Sequence, residues 1–185
     1  MHSIEPYYNW RHLYIAEEDE QSPFFGHQYS EFEFSNTIYN YYIHPQWDEI
    51  GSRTLYIKII YADYDLNMAI IELIGEWNDV IENDIETLKR TIIEHLIAKK
   101  IYKFIFIGEN ILTFHGHGND YYEEWYEEIN SYGGWITFVN FLPQTIQDFK
   151  QEKIHHYIHF IEIENWRTIQ PEHLFQTIDN TILNF

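Results

Sequence analysis

Apolar and polar positions change rhythm several times along the chain, and each change marks an element. Leu55 to Tyr61 (LYIKIIY) and Met68 to Ile74 (MAIIELI) are dense in β-branched and aromatic residues, with the polar spacer ADYDLN between them. Two such runs around a turn-like spacer predict an antiparallel hairpin. From Ile85 the period lengthens. Ile85, Leu88, Ile92 and Leu96 recur at spacings of three and four, which predicts a helix with Glu86, Lys89, Arg90 and Glu94 outside its apolar stripe. Asn83 and Glu86 have capping-box spacing, and Lys99 and Lys100 suit the negative end of the helix.

Lys103 to Ile107 (KFIFI) is an apolar run that predicts a strand buried on both faces, as in a parallel sheet. The stretch Gly108–Asn119 reads as a loop leading into a second helix. Asp120 and Glu123 again have capping-box spacing. Tyr122, Trp125, Tyr126 and Ile129 form that helix's inward face, and Glu123, Glu124, Glu127 and Glu128 its outward face. Gly133-Gly134 breaks the chain before a strand in WITFVNF. Pro143 and Pro171 open two further helices, around a strand in HHYIHFIEI. Nearer the N-terminus, YSEFEF alternates with a period of two and predicts a strand with one wet face. Residues 37–52 read as a strand and then a loop, and residues 1–28 as an irregular aromatic stretch with an acidic run at Glu17–Glu20.

Strands alternating with helices predict an α/β fold around a mixed, mostly parallel sheet with right-handed crossovers. The simplest division is an aromatic-rich β extension over residues 1–50, packed on an α/β domain over residues 51–185. Of the 185 residues, 45% are hydrophobic and 19% aromatic, which supplies a full core. A net charge of -19 makes nucleic acid and anionic membranes improbable partners. The absence of cysteine excludes disulfides, thiol nucleophiles and Cys-bound metal, and fits a reducing compartment. No basic leader followed by an apolar run opens the chain, and no apolar run approaches a membrane span, so a cytoplasmic location is expected.

Residues 68–160 resemble the STAS family, the sulfate-transporter and anti-sigma-factor-antagonist domains. Three segments carry the resemblance. AIIELIGEWND with the ETLKR helix is similar to that family's strand, G-E-L-D turn and first helix. KFIFIGENILTFHGHG is similar to its switch-motif strand and loop. GGWITFVNFLPQTIQDFKQEKIHHYIHF is similar to its later strand, proline-started helix and closing strand. The whole chain also resembles a bacterial family with a strand-rich N-terminal part and a similar GEWND segment, which implies no particular activity. The STAS resemblance implies a STAS-like fold and a regulatory role through protein contact. Where switch members carry Asp-Ser-Ser-Gly, this chain has His115, Gly116, His117 and Gly118. His117 then stands in place of the phosphorylatable serine, and a serine switch is not expected. Asn78-Asp79 takes the place of the G-E-L-D acid, with a short insertion after it.

The candidate chemistry gathers at the same loop. Gly116 and Gly118 let backbone approach a ligand closely, and the helix after Asn119 starts with free N–H groups that favour an anion. Against this stands the acidic helix behind, and glycines also serve an ordinary tight turn. His115 and His117 are two metal-ligand types at alternate positions, with Asp120, Glu123, His155 or His156 as further donors, although zinc needs three or four that converge. Phosphorylation of His117 is a further reading. Glu109 and Asp79 are acids that strand ends could bring face to face. No nucleophile elbow, P-loop or dinucleotide fingerprint is present. The expected function is non-enzymatic: binding of a protein partner or small ligand through His115, Gly116, His117, Gly118, Asn119, Asn78, Asp79, Glu109 and Tyr122, with no cofactor. The alternatives are a metal- or anion-dependent enzyme or binder using His115, His117 and nearby acids, and a homodimer in which the aromatic N-terminal segment covers an edge strand.

Overall fold

The computed structural model describes residues 4–184. Its centre is the pair of long strands β5 (Met68–Asn78) and β6 (Lys103–His115), which run parallel along nearly their whole length. On one side β5 pairs antiparallel with β4 (Leu55–Asp63), and β4 with the two-residue strand β3 (Asp48–Glu49). On the other side β6 pairs parallel with β7 (Trp135–Val139), and β7 with β8 (His159–Ile161). The six-stranded order is β3-β4-β5-β6-β7-β8. The hairpin expected from the two apolar runs is β4–β5. Asp63 closes its turn by accepting the Asp65 and Leu66 N–H groups, each at 2.9 Å.

Helices cover both faces. On one face lie α1 (Asp84–Leu88) and α2 (Glu94–Ala98), joined by a π-helical turn (Lys89–Ile93), together with α3 (Asp120–Asn130) and α4 (Pro143–Gln151). Leu88, Ile92, Leu96, Trp125 and Phe149 pack there on Ile71, Phe104, Phe106 and Phe138. The other face holds α5 (Pro171–Leu183), with Leu174, Phe175 and Ile178 against Met68, Ile70 and Ile105.

Residues from outside the α/β repeat complete both layers. Ala16 and Phe24 enter the first core, and Trp10 enters the second beside Trp166. Ile43 and Trp47 cover Tyr56 and Ile74. The regular structure among residues 4–50 is slight. The strand expected in YSEFEF is absent, because Phe32 faces water and no second strand lies beside it. The segment after it forms a small ribbon of β1 (Thr37–Ile38) and β2 (Tyr41–Tyr42), followed by β3. The strand expected in HHYIHFIEI is cut to three residues by a 3-10 turn over Ile154–His156.

Two further expectations change. The first is the loop over 108–119. β6 runs on to His115, because register shifts against β5 absorb the polar residues within it. The connection to α3 is therefore only residues 116–119. The second is helix capping. Asn83 sits in the left-handed region and makes no side-chain cap, and α3 begins after Asn119 without one. A carboxylate from outside takes over the first helix: Asp79 accepts the Ile85 N–H, while Asp84 at the helix's first residue accepts the Asn78 N–H at the end of β5.

Candidate functional site

The parallel strands deliver Asn78 and His115 to the same level, where they are partners in register. The Asp79 N–H donates to the His115 carbonyl at 2.8 Å, so the turn after β5 and the loop after β6 start side by side. Ligand sites of open α/β sheets form at such carboxyl ends of parallel strands. The Asn78 side-chain oxygen accepts the Val80 and Ile81 N–H groups at 3.1 and 2.9 Å, which folds residues 78–81 into a tight turn.

Asp79 is buried at the centre. Its Oδ1 accepts the Trp77 indole N–H and the Ile85 N–H, both at 2.9 Å, and its Oδ2 accepts the Tyr122 hydroxyl at 2.8 Å. Burial raises its pKa to about 6 against these three donors. Asp84, also buried, is raised to about 6 for the same reason. The Tyr122 hydroxyl is pushed well above its usual range by desolvation and by Asp79. With both oxygens engaged, Asp79 fastens β5, α1 and α3 together.

Above this fastening lies a cleft of about 100 Å³ lined by Asp79, Asn83, Ile85, His117, Gly118 and the first turn of α3. Gly118 (φ +81) needs the left-handed backbone that glycine allows. Its N–H donates to the Glu152 carboxylate of α4 at 3.2 Å. That amide therefore already holds an anion of this chain, and Asp120 and Glu123 add negative charge in the first turn of α3. His115 and His117 are exposed. Among the described residues, no group of three or more His, Asp or Glu side chains is arranged to hold a metal ion.

Of the residues singled out in the sequence, the fold brings Asp79, His117, Gly118 and Tyr122 to one cleft. Asn78, His115, Gly116 and Asn119 stand at its backbone frame. Glu109 lies elsewhere. It is mid-strand in β6, accepting the Trp166 indole N–H at 2.8 Å and pairing with Arg167 at 2.6 Å. The proposed facing of Glu109 and Asp79 is not found, because β6 continues past Glu109 to His115.

The rim of the cleft adds what the sequence reading passed over. Val80 is 58% exposed and Ile81 71% exposed, at the tip of the turn beside His115. A second missed cluster joins Glu72 to Arg167 (3.4 Å) and Arg167 to Glu109, with the Tyr7 N–H donating to Glu72 at 2.7 Å. A third holds Lys58 between Asp48 and Glu17, each at 3.3 Å. The signal for both was available: Lys58 and Glu72 are the lone charges inside LYIKIIY and MAIIELI.

Among solved structures, the chain is similar to the anti-sigma factor antagonist SpoIIAA in its unphosphorylated form. Identity is 12% and the TM-score 0.48, over 68% of this chain and 96% of that one. It is also similar to the Bacillus cell fate determinant SpoIIAA in its phosphorylated form, at 13% identity and a TM-score of 0.43, over 66% of this chain and 98% of that one. No protein-family model matches the chain, and no curated protein does. The mixed, mostly parallel sheet with helices expected from the sequence is the architecture of the strands and helices described above.

Proposed function

We propose that the protein is a non-enzymatic, STAS-like regulatory protein that works by binding a protein partner at the surface made by the 78–83 turn, the 115–119 loop and the start of α3. The observation that carries this reading is the contrast between the floor and the rim of the cleft. The floor is spent: Asp79 has both oxygens engaged and Gly118 donates to Glu152. The rim is open, with exposed Val80 and Ile81 beside exposed His115 and His117. Adjacent exposed apolar side chains on a short ordered turn suit a protein contact better than a reaction. The STAS resemblance of residues 68–160 points the same way, and with His117 in the serine position regulation would not run through a serine phosphate.

The test is capture of partners by the whole protein and by V80E/I81E and H117E variants, with amide hydrogen exchange on the recovered complex. A partner that is lost with either variant, and that protects residues 78–83 and 115–121, supports the proposal. A partner bound equally by all three proteins, with protection elsewhere, removes it.

A further inference from the structure

A second cavity lies at the β4 side of the sheet and shares no residue with the cleft at 115–119. It exists because β3 is short. β3 pairs with β4 only at Tyr56 and Ile57, so from Lys58 onward no strand lies against that edge. Residues 5–17 pass over the opening as an irregular wall and leave a cavity of about 300 Å³, the size of a small-molecule site. The wall is pinned in place. The Tyr7 N–H donates to buried Glu72, the Tyr7 hydroxyl donates to the Arg167 carbonyl, and the Tyr14 hydroxyl donates to Asp19.

The lining combines tyrosines with an excess of negative charge. Tyr7, Tyr8 and Tyr14 all contribute. The carboxylates of Glu5, Glu17 and Glu31 face two permanent cations, Arg11 and Lys58. Both cations are already drawn to one of those acids: Glu17 pairs with Lys58 at 3.3 Å and with Arg11 at 3.2 Å. Glu5 lies 3.5 Å from His44, and among the described residues Glu31 makes no ion pair. The surplus is therefore negative and sits at Glu5 and Glu31, in a chain whose net charge of -19 already draws cations toward it. Lys58 is held by its own contacts: its ammonium lies over the Tyr29 ring, 3.9 Å from the centroid, and between the Glu17 and Asp48 carboxylates, with Tyr29 and Asp48 outside the cavity's lining.

We infer that this cavity is a binding site for a small organic amine, whose ammonium group meets Glu5 and Glu31 while its hydrocarbon part packs among the tyrosines. The site is independent of the protein-contact surface proposed above.

The experiment uses the full chain, with tyramine and 1,4-diaminobutane as cationic probes and 4-hydroxyphenylacetate and succinate as anionic counterparts. Calorimetry is expected to show saturable one-to-one binding of at least one amine and of neither acid. Amide chemical shifts should move within residues 5–17, 44–46 and 58–60. The E5Q/E31Q variant should bind roughly tenfold more weakly with an unchanged melting temperature, as expected for two exposed charge contacts acting together. Loose accumulation of cations around an acidic protein would be unsaturable and indifferent to that variant. The inference is overturned if neither amine saturates, if the acids bind as well as the amines, or if the shifts lie outside these segments. Equal affinity in a folded E5Q/E31Q protein also overturns it. Should that variant not fold, the wild-type shift map and the anionic probes still decide.

Discussion

The Tyr122 hydroxyl donates to the Asp79 carboxylate at 2.8 Å and so ties α3 to the turn after β5. Both residues are buried, and Tyr122 is one of three donors to that carboxylate. Replacing it with phenylalanine keeps the ring and removes the bond. Y122F is expected to lower unfolding free energy by about 1.5–3 kcal/mol, the usual range for a hydrogen bond to a charged group. It should also raise the Asp79 pKa further. Urea denaturation and a carboxyl titration by NMR check the two effects. A variant as stable as the parent would show that the fastening is idle.

Stability should fall as pH rises from the ordinary carboxyl range toward about 7. Glu72 is raised to about 7, and Asp79 and Asp84 to about 6, each mainly by burial. A carboxyl group whose folded pKa exceeds its unfolded value binds more protons in the folded state. Its ionisation then costs stability between the two values. The window for Glu72 runs from the ordinary value of 4.5 to about 7. E72Q, which cannot ionise, should lessen the loss between these limits by about 3 kcal/mol. Glu82, Glu94 and Glu124 are shifted the other way by the cations they pair with, so the stability they lend is lost below their usual range. Melting temperatures across pH 4–8 test the slope, and a parent curve that climbs through this range contradicts it.

Lys89 is 1% exposed, with its ammonium 2.8 Å from Glu124 and 3.3 Å from both Glu94 and Glu128. K89M preserves the packing of the stem but removes the cation shared by the three carboxylates, leaving Glu94 and Glu124 to Arg90. The expected cost is about 1–3 kcal/mol at neutral pH. It should shrink in high salt and at pH 4, where the lost attraction is screened or titrated away. Chemical denaturation at two salt concentrations measures it. A cost that does not respond to salt or pH would assign it to packing.

Two glycines separate space from backbone geometry. At Gly75 (φ +115) an added Cβ would stand 1.9 Å from the Thr54 carbonyl oxygen, whereas at Gly118 (φ +81) it would meet nothing within 4 Å. G118A therefore carries only the strain of a left-handed alanine, about 1 kcal/mol. G75A adds a backbone clash between β4 and β5, and should lose more than about 3 kcal/mol or fail to fold. Expression level and thermal melts compare the two directly.

Much of this architecture was legible. The runs around ADYDLN gave the β4–β5 hairpin, and the spacing of Leu88, Ile92 and Leu96 gave the first helix. Pro143 and Pro171 stand at the first residues of α4 and α5. What misled was polarity inside long strands. Gly108, Glu109 and Asn110 look like a loop, but register shifts let β6 pass through them. Lys89 looks like a surface residue because two of its three partners come from α3, thirty-five and thirty-nine residues away. The aromatics of residues 4–50 have no period, since Trp10, Phe24 and Trp47 are buried by tertiary contact and not by a regular element. At the candidate site, the glycine–histidine bend was readable. The exposed pair Val80 and Ile81 was not, because burial of a turn cannot be read from composition.

The π-helical turn at Lys89–Ile93, where the Glu94 N–H reaches back to the Lys89 carbonyl, amounts to one surplus residue in an otherwise regular helix. Deleting a single position there would restore the ordinary α-helical repeat, and the segments on either side would stay in phase. Leu88 before the turn and Leu96 after it would keep their faces toward the sheet. The insertion is thus absorbed locally: related chains one residue shorter in this helix would keep the same apolar pattern on both sides of it, and would lack only the wide turn that starts at the buried lysine.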